Sequence, residues 1–405
     1  MHFNPLVLPL ALASLTAAQS SSNVCRDTLT ASSQADLDTI ASCTNFEGDI
    51  ILASPIESAN IRGVTSISGS LVARNVSSLQ TLSAPNLRNI SESLSLEILR
   101  SLNTVTLPRL AEVGDISLVT LNALNGVSLE DGITKAKSLI ISDTTIRSLD
   151  GLDLRTVDTL NINNNRFLTT LNFNLESVSN ILDFSSTGNN VEVNFPFLVW
   201  ANNITLRDIN SVSLPNVTKI NSTLSFTNNT IESISLPKLK DVGGSLAIVS
   251  NSQLINATFP KLESIGGAFL VVNNTELPSI LGFPALSSIG GAIEFTGSFD
   301  NATLPELSVV RGGVSIESDS EEFNCSSWNE AQQDSVIRGD SYQCKGASVS
   351  TSVAISETAT GTERVASNTA ASATTTADSA SSSNGAGAME YSAAGALAAL
   401  VFQLL

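Results

Sequence analysis

The stretch LPKLKDVGGSLAIVSN, Leu236 to Asn251, decides the fold because the chain repeats it. It returns as FPKLESIGGAFLVVNN from Phe259 and as FPALSSIGGAIEFTGS from Phe283. LPELSVVRGGVSIESD from Leu304 continues the series, and LPNVTKINSTLSFTNN from Leu214 precedes it. Weaker copies stand further back, as APNLRNISESLSLEIL from Ala84 and LPRLAEVGDISLVTLN from Leu107. Pro215, Pro237, Pro260, Pro284 and Pro305 recur every 21 to 24 residues, a spacing of leucine-rich and related solenoid coils.

Each copy has the same internal logic. Leu246-Ala247-Ile248-Val249 alternates as a half-buried strand does, with Leu246 and Ile248 inward. The same alternation turns Leu224 and Phe226, Phe269 and Val271, and Ile293 and Phe295 inward. Turns are expected at Asn251, Asn273 and Gly297. The proline is expected at a strand edge, where it limits pairing. Paired glycines, as at 243–244 and 266–267, are expected to supply positive φ and close backbone approach. One coil cannot bury its own apolar face, but a stack of coils can. The fold class expected is mainly β: a right-handed β-solenoid with a period of about 21–24 residues. About a dozen coils fit between Asp49 and Asp319. A change in regularity near 194–203 leaves open whether they form one irregular array or two lobes.

The rest of the 405 residues frames this repeat. Residues 1–18 read as a secretory signal peptide, with an apolar run from Leu6 to Leu15 that is too short to span a bilayer. Residues 19–345 hold the repeats. Residues 346–384 are rich in Ser, Thr and Ala and read as a disordered, O-glycosylated stalk. Residues 385–405 follow small residues and end on an apolar run, the pattern of a GPI-attachment propeptide with Asn384 as the attachment site.

Composition removes several function classes. His2 is the only histidine and falls in the signal peptide, so imidazole catalysis and His-ligated metal sites are not expected. A formal charge of −18 offers no stripe to neutralise phosphates, so no nucleic-acid partner is expected. Cys25 and Cys43 flank the repeats on one side, and Cys325 and Cys344 on the other. Four cysteines allow three connectivities, and closure within each local pair is favoured because it needs no long-range geometry. Paired carboxylates for glycoside cleavage are sought among Asp143, Asp183 and Asp208, and no short motif brings two together. The chain is therefore read as not an enzyme.

Ten N-x-S/T sequons are candidate N-glycan sites: Asn75, Asn89, Asn203, Asn216, Asn221, Asn228, Asn256, Asn273, Asn301 and Asn324. Asn75, Asn228 and Asn273 follow a strand and Asn256 and Asn301 precede the Leu/Phe-Pro entry, turn positions from which sugars are expected to coat the coil edges and spare the sheet face. Outward alternation places Ala247, Val249, Leu270 and Val272 together as an exposed apolar patch, a candidate partner contact. Trp200, Trp328 and Tyr342 are expected outside regular strands, which disfavours a sugar-stacking platform.

With its Ile-Gly-Gly corner and Leu-x-Ile strand, the repeat resembles the L domains of insulin and growth-factor receptors. The full order of signal peptide, repeats flanked by cysteine pairs, Ser/Thr-rich stalk and GPI signal resembles fungal GPI-anchored cell-wall organisation proteins, the sporulation-specific proteins among them. The resemblance implies a glycoprotein at the outer face of the plasma membrane or in the wall, needed for wall integrity. It implies the four cysteines as cap disulfides and Asn384 as the anchor position, and it carries over no catalytic residue. No cofactor is expected beyond a covalent GPI anchor and N- and O-glycans. Wall glycans or surface proteins are the expected partners, with the membrane reached only through the GPI lipid.

Overall fold

The structure, a computed structural model, describes residues 24–185 and 191–347. The expected signal peptide, most of the stalk and Asn384 lie outside the described residues. The described part is a parallel β-solenoid of about 13 turns. Its main sheet carries 22 strands. The strand Tyr342–Gly346 still belongs to that sheet, so the fold runs one residue past the expected boundary at 345.

The regular coils turn at three places. In the regular coils a short strand such as Asp241–Val242 meets a Gly-Gly bend, and Leu246–Val249 follows in the same sheet. The earlier coils run straight through as long strands with a register shift at the bend, as between Val113 and Asp115. The Gly-Gly pairs do not adopt positive φ, contrary to expectation. What demands glycine is stacking: a Cβ on Gly266 would lie 2.1 Å from the Gly243 carbonyl oxygen.

A left-handed residue closes the main strand in nearly every coil, among them Asn75, Asp143, Asn228 and Asn273. Asn251 is not that turn residue. Ser250 holds the positive φ, and Asn251 is fully buried. Gly297 is not left-handed. Ile98 is (φ +55°), an expensive conformation for a β-branched side chain. Ile98 is 38% exposed and has little packing to lose. Ile98→Asn is therefore expected to stabilise the fold by about 1 kcal/mol, read as a rise in unfolding temperature. An unchanged or lower value would contradict this.

The chain next crosses a second face in strands such as Ser233–Ser235 and Asn256–Thr258. The Leu/Phe-Pro step then turns it back. Leu239 donates to the Leu236 carbonyl, and Leu262 to that of Phe259. Proline thus sits at the second position of a β-turn, where its fixed φ fits, and not at a strand edge.

All eight predicted inward residues from Leu224 to Phe295 are buried. Phenylalanines stack between coils: Phe259 and Phe283 lie 5.0 Å apart, and Phe269 meets Phe283 edge-on at 4.8 Å. Each fully buried ring contributes roughly 1.5–3 kcal/mol. The sheet does not break at 194–203. Trp200–Arg207 pairs with Ser177–Ser185 on one side and with Lys219–Ile220 and Leu224–Thr227 on the other.

Disulfides staple both ends as local pairs, Cys25–Cys43 and Cys325–Cys344. In the chain-entropy account a loop of this length contributes about 3 kcal/mol. At the first end the helix Gln34–Asp38, capped by Ser33, buries Leu37. At the other, the helix Ser326–Gln333 lays Trp328 on the last coils. Its indole N–H donates to the Ala302 carbonyl at 2.8 Å, and its ring meets Phe295 edge-on.

Candidate functional surface

The outer face of the main sheet is built in rows, one residue per coil. One row runs Ser117, Ile140, Asn161, Asp183, Thr205 and Ser225, and continues through Ala247, Leu270 and Glu294. Ala247 faces Leu270 and Val249 faces Val272, as the alternation requires. The exposed patch is nevertheless smaller than expected. Ala247 is 7% and Leu270 6% exposed, and Val249 and Val272 are part-buried. Row neighbours stand about 4.8 Å away on either side and shield these side chains.

Glu294 extends this row beside Leu270, with one carboxylate oxygen buried and unpartnered. Burial pushes its carboxyl above the usual range. Between its unfolded and folded pKa the folded state holds more protons. Stability therefore falls as pH rises through that window, and the deficit persists above it. Glu294→Gln is expected to raise the unfolding temperature at pH 7, with the gain vanishing once pH drops below the unfolded glutamate value of about 4.3. A pH-independent difference in calorimetric scans would contradict this.

The three candidate carboxylates are not brought together. Asp143 and Asp208 are left-handed corner residues that accept hydrogen bonds from Asn164 and Asn228. Asp183 lies on the sheet face. Its carboxyl is raised by burial, and Arg207 opposes that shift. No group of three or more metal-binding side chains occurs among the described residues.

The sequons divide by position. Asn75, Asn228 and Asn273 sit at exposed left-handed corners. Asn221 is exposed at the bend beside Gly243, and Asn324 is exposed just before the last helix. Asn256 and Asn301 are exposed but lie in short second-face strands, not turns. Asn216 is in the proline turn. Asn89 and Asn203 belong to main-sheet strands, not to turns. The aromatic expectation also needs correction: Trp200 opens the strand Trp200–Arg207, and Tyr342 opens Tyr342–Gly346.

A cleft of about 440 Å³, which the repeat pattern did not reveal, opens where the second face is interrupted. One second-face sheet ends at Val127–Ser128 and the next begins at Thr170–Asn172, with Arg147 to Asp153 irregular between them. Glu192 N–H donates to Thr169 and Phe173 N–H to Asn194. The Thr170 and Asn172 backbone groups therefore point the other way, towards the cleft. Beside it, Arg147 and Arg166 lie over the exposed Phe167 ring at 5.3 and 4.9 Å. The irregular 145–153 stretch, with its Leu-Asp-Gly-Leu-Asp, was the only sequence signal.

The architecture is that of a secreted-type solenoid with disulfide-stapled ends, and sequence comparison places it further. No family model matches the chain, and no solved structure does. It is 38% identical over 327 residues to the cell wall mannoprotein PST1 of Saccharomyces cerevisiae, covering 80% of this chain and 73% of that one. It is 38% identical over 336 residues to a cell surface GPI-anchored protein of Arthroderma benhamiae, covering 82% and 85%. To the cell surface GPI-anchored protein ECM33 of Candida albicans it is 33% identical over 350 residues, covering 85% and 84%. The chain belongs to this family of fungal cell-wall and GPI-anchored cell-surface proteins.

Proposed function

We propose that this chain is a GPI-anchored cell-surface glycoprotein that supports fungal cell-wall organisation without catalysis. The observation that carries the reading is similarity over at least four-fifths of the chain to proteins named for the wall or a GPI anchor. The leader and anchor signals read from the sequence agree with it, and so does the scattering of Asp143, Asp183 and Asp208. Anchoring is tested by expressing the full chain and a version ending at Ser383 in a fungal host. The full chain is expected to stay with the cells, and the shortened one to pass into the medium. Equal release of both would overturn the anchor.

A second reading is favoured by the cleft beside Thr170–Asn172: a recognition module that takes an extended segment of a surface protein by strand addition. Backbone groups directed into an open gap are what such addition uses. A wall-glycan ligand would instead be revealed by binding to immobilised wall polysaccharide.

A further inference from the structure

We propose that an N-glycan on Asn216 folds back over an apolar corner formed by Phe197 and Val199. The corner is defined by two rows of side chains that run along the proline turns. Asn194 pairs with Ser213 and Trp200 with Lys219, so Phe197 lies opposite Asn216 and Val199 opposite Thr218. In the coils next to this one the rows are polar. Lys238 donates to the Asn216 side chain at 2.6 Å, Asn174 donates to Asp153, and Arg155 pairs with Glu176 at 3.0 Å. Both rows lose polarity at the same coil, where Phe197 is 50% and Val199 44% exposed. Adjacent exposed apolar side chains of this kind offer a surface that an apolar partner can cover.

The occupant is argued from the neighbouring coil. Asn216-Val217-Thr218 is a sequon, and its first and third residues are the ones that face Phe197 and Val199. Asn216 Nδ2 donates to the Pro196 carbonyl at 2.6 Å, one residue before Phe197. Transfer of an oligosaccharide from its lipid-pyrophosphate donor forms the C1–Nδ2 bond, releases the lipid pyrophosphate and one proton, and leaves one Nδ2–H. That N–H can still reach Pro196. The first sugars then start beside the Phe197 ring, and the apolar C–H face of a pyranose packs on such a surface. Asn228 and Asn273, by contrast, stand at corners beside Asp208 and Ser250, which are polar; Asn203 and Asn256 each have one exposed apolar neighbour, Ile181 and Ile255, where Asn216 has the pair.

The inference rests on passage through the secretory route, which the proposed function entails. Glycopeptide mapping of the full chain from a fungal host separates the two. No sequon occupied would sink the secretory reading itself. Other sequons occupied with Asn216 bare would overturn only the present inference. With Asn216 occupied, an apolar-surface dye is added to four proteins: the natural chain, Thr218→Ala, Thr218→Ser and Thr218→Ala/Phe197→Ser. Thr218→Ala removes the sequon but keeps Asn216, while Thr218→Ser keeps both sequon and hydroxyl. A several-fold rise in dye fluorescence is expected for Thr218→Ala alone. An equal rise in the double variant would show general loosening and overturn the proposal. So would dye binding, or self-association sensitive to Phe197→Ser, in the natural glycoprotein, because the corner would then be open to another protein.

Discussion

Gly266→Ala should be among the most damaging single-methyl changes in the protein. The added Cβ would lie 2.1 Å from the Gly243 carbonyl oxygen and 2.9 Å from its carbon. Both are backbone atoms of the preceding coil, so no side chain can rotate out of the way. Gly266 is itself under Gly290, whose own Cβ would meet the Gly266 oxygen at 2.2 Å. The coils must move apart locally, and their shared hydrogen bonds, such as Gly266 N–H to Val242, lengthen. The expected loss is about 3 kcal/mol, at the upper end of overpacking effects. In a repeat array the loss falls on one interface between neighbours. Thermal unfolding should therefore move down or split into two transitions. Gly126→Ala is the control, since a Cβ there meets nothing within 4 Å, and it should stay within about 0.5 kcal/mol.

Asn251→Leu should cost a similar amount for a different reason. Asn229, Asn251 and Asn274 form a buried ladder. Asn251 Nδ2 donates to the Phe226 carbonyl at 3.0 Å and to Asn274 Oδ1 at 2.9 Å. Its Oδ1 accepts from the Asn229 backbone N–H at 3.2 Å and from Asn229 Nδ2 at 2.8 Å. Leucine fills the space, and at Leu99 and Leu121 the chain itself places leucine just after the left-handed residue. Inside the ladder, however, leucine strands the buried Asn229 N–H and withdraws a donor from Phe226. An unsatisfied buried group costs about 1–3 kcal/mol, so a total near 3 kcal/mol is expected. Equilibrium unfolding should show this loss, together with faster amide exchange at Asn229. A loss below about 1 kcal/mol would mean that the ladder links are replaceable.

Much of this architecture was legible because the period is repeated in plain letters. Proline spacing gave the coil length, and alternation in Leu246–Val249 and its copies gave the inward rows. The cysteine spacing favoured the local staples that the structure contains. What stayed hidden depends on neighbours in the stack. At Gly266 the expected close backbone approach holds, against the Gly243 carbonyl beneath it, but the positive φ expected with it does not. Asn251 looks like a turn residue until Ser250 takes the turn and Asn251 goes inside. Ala247 and Leu270 point outward as predicted, yet their row neighbours bury them. The apolar corner at Phe197 was visible only as a loss of regularity near 194–203, which left one irregular array and two lobes equally open.

The central claim is that this solenoid serves the wall from the cell surface. The most direct test is growth of a deletion strain on a wall-binding dye, with the full chain or the version ending at Ser383 added back. Deletion is expected to sensitise the cells, and only the full chain to restore growth. Rescue by the shortened, secreted version would show that the anchor is dispensable. Unchanged growth after deletion, with no relative compensating, would contradict the wall role.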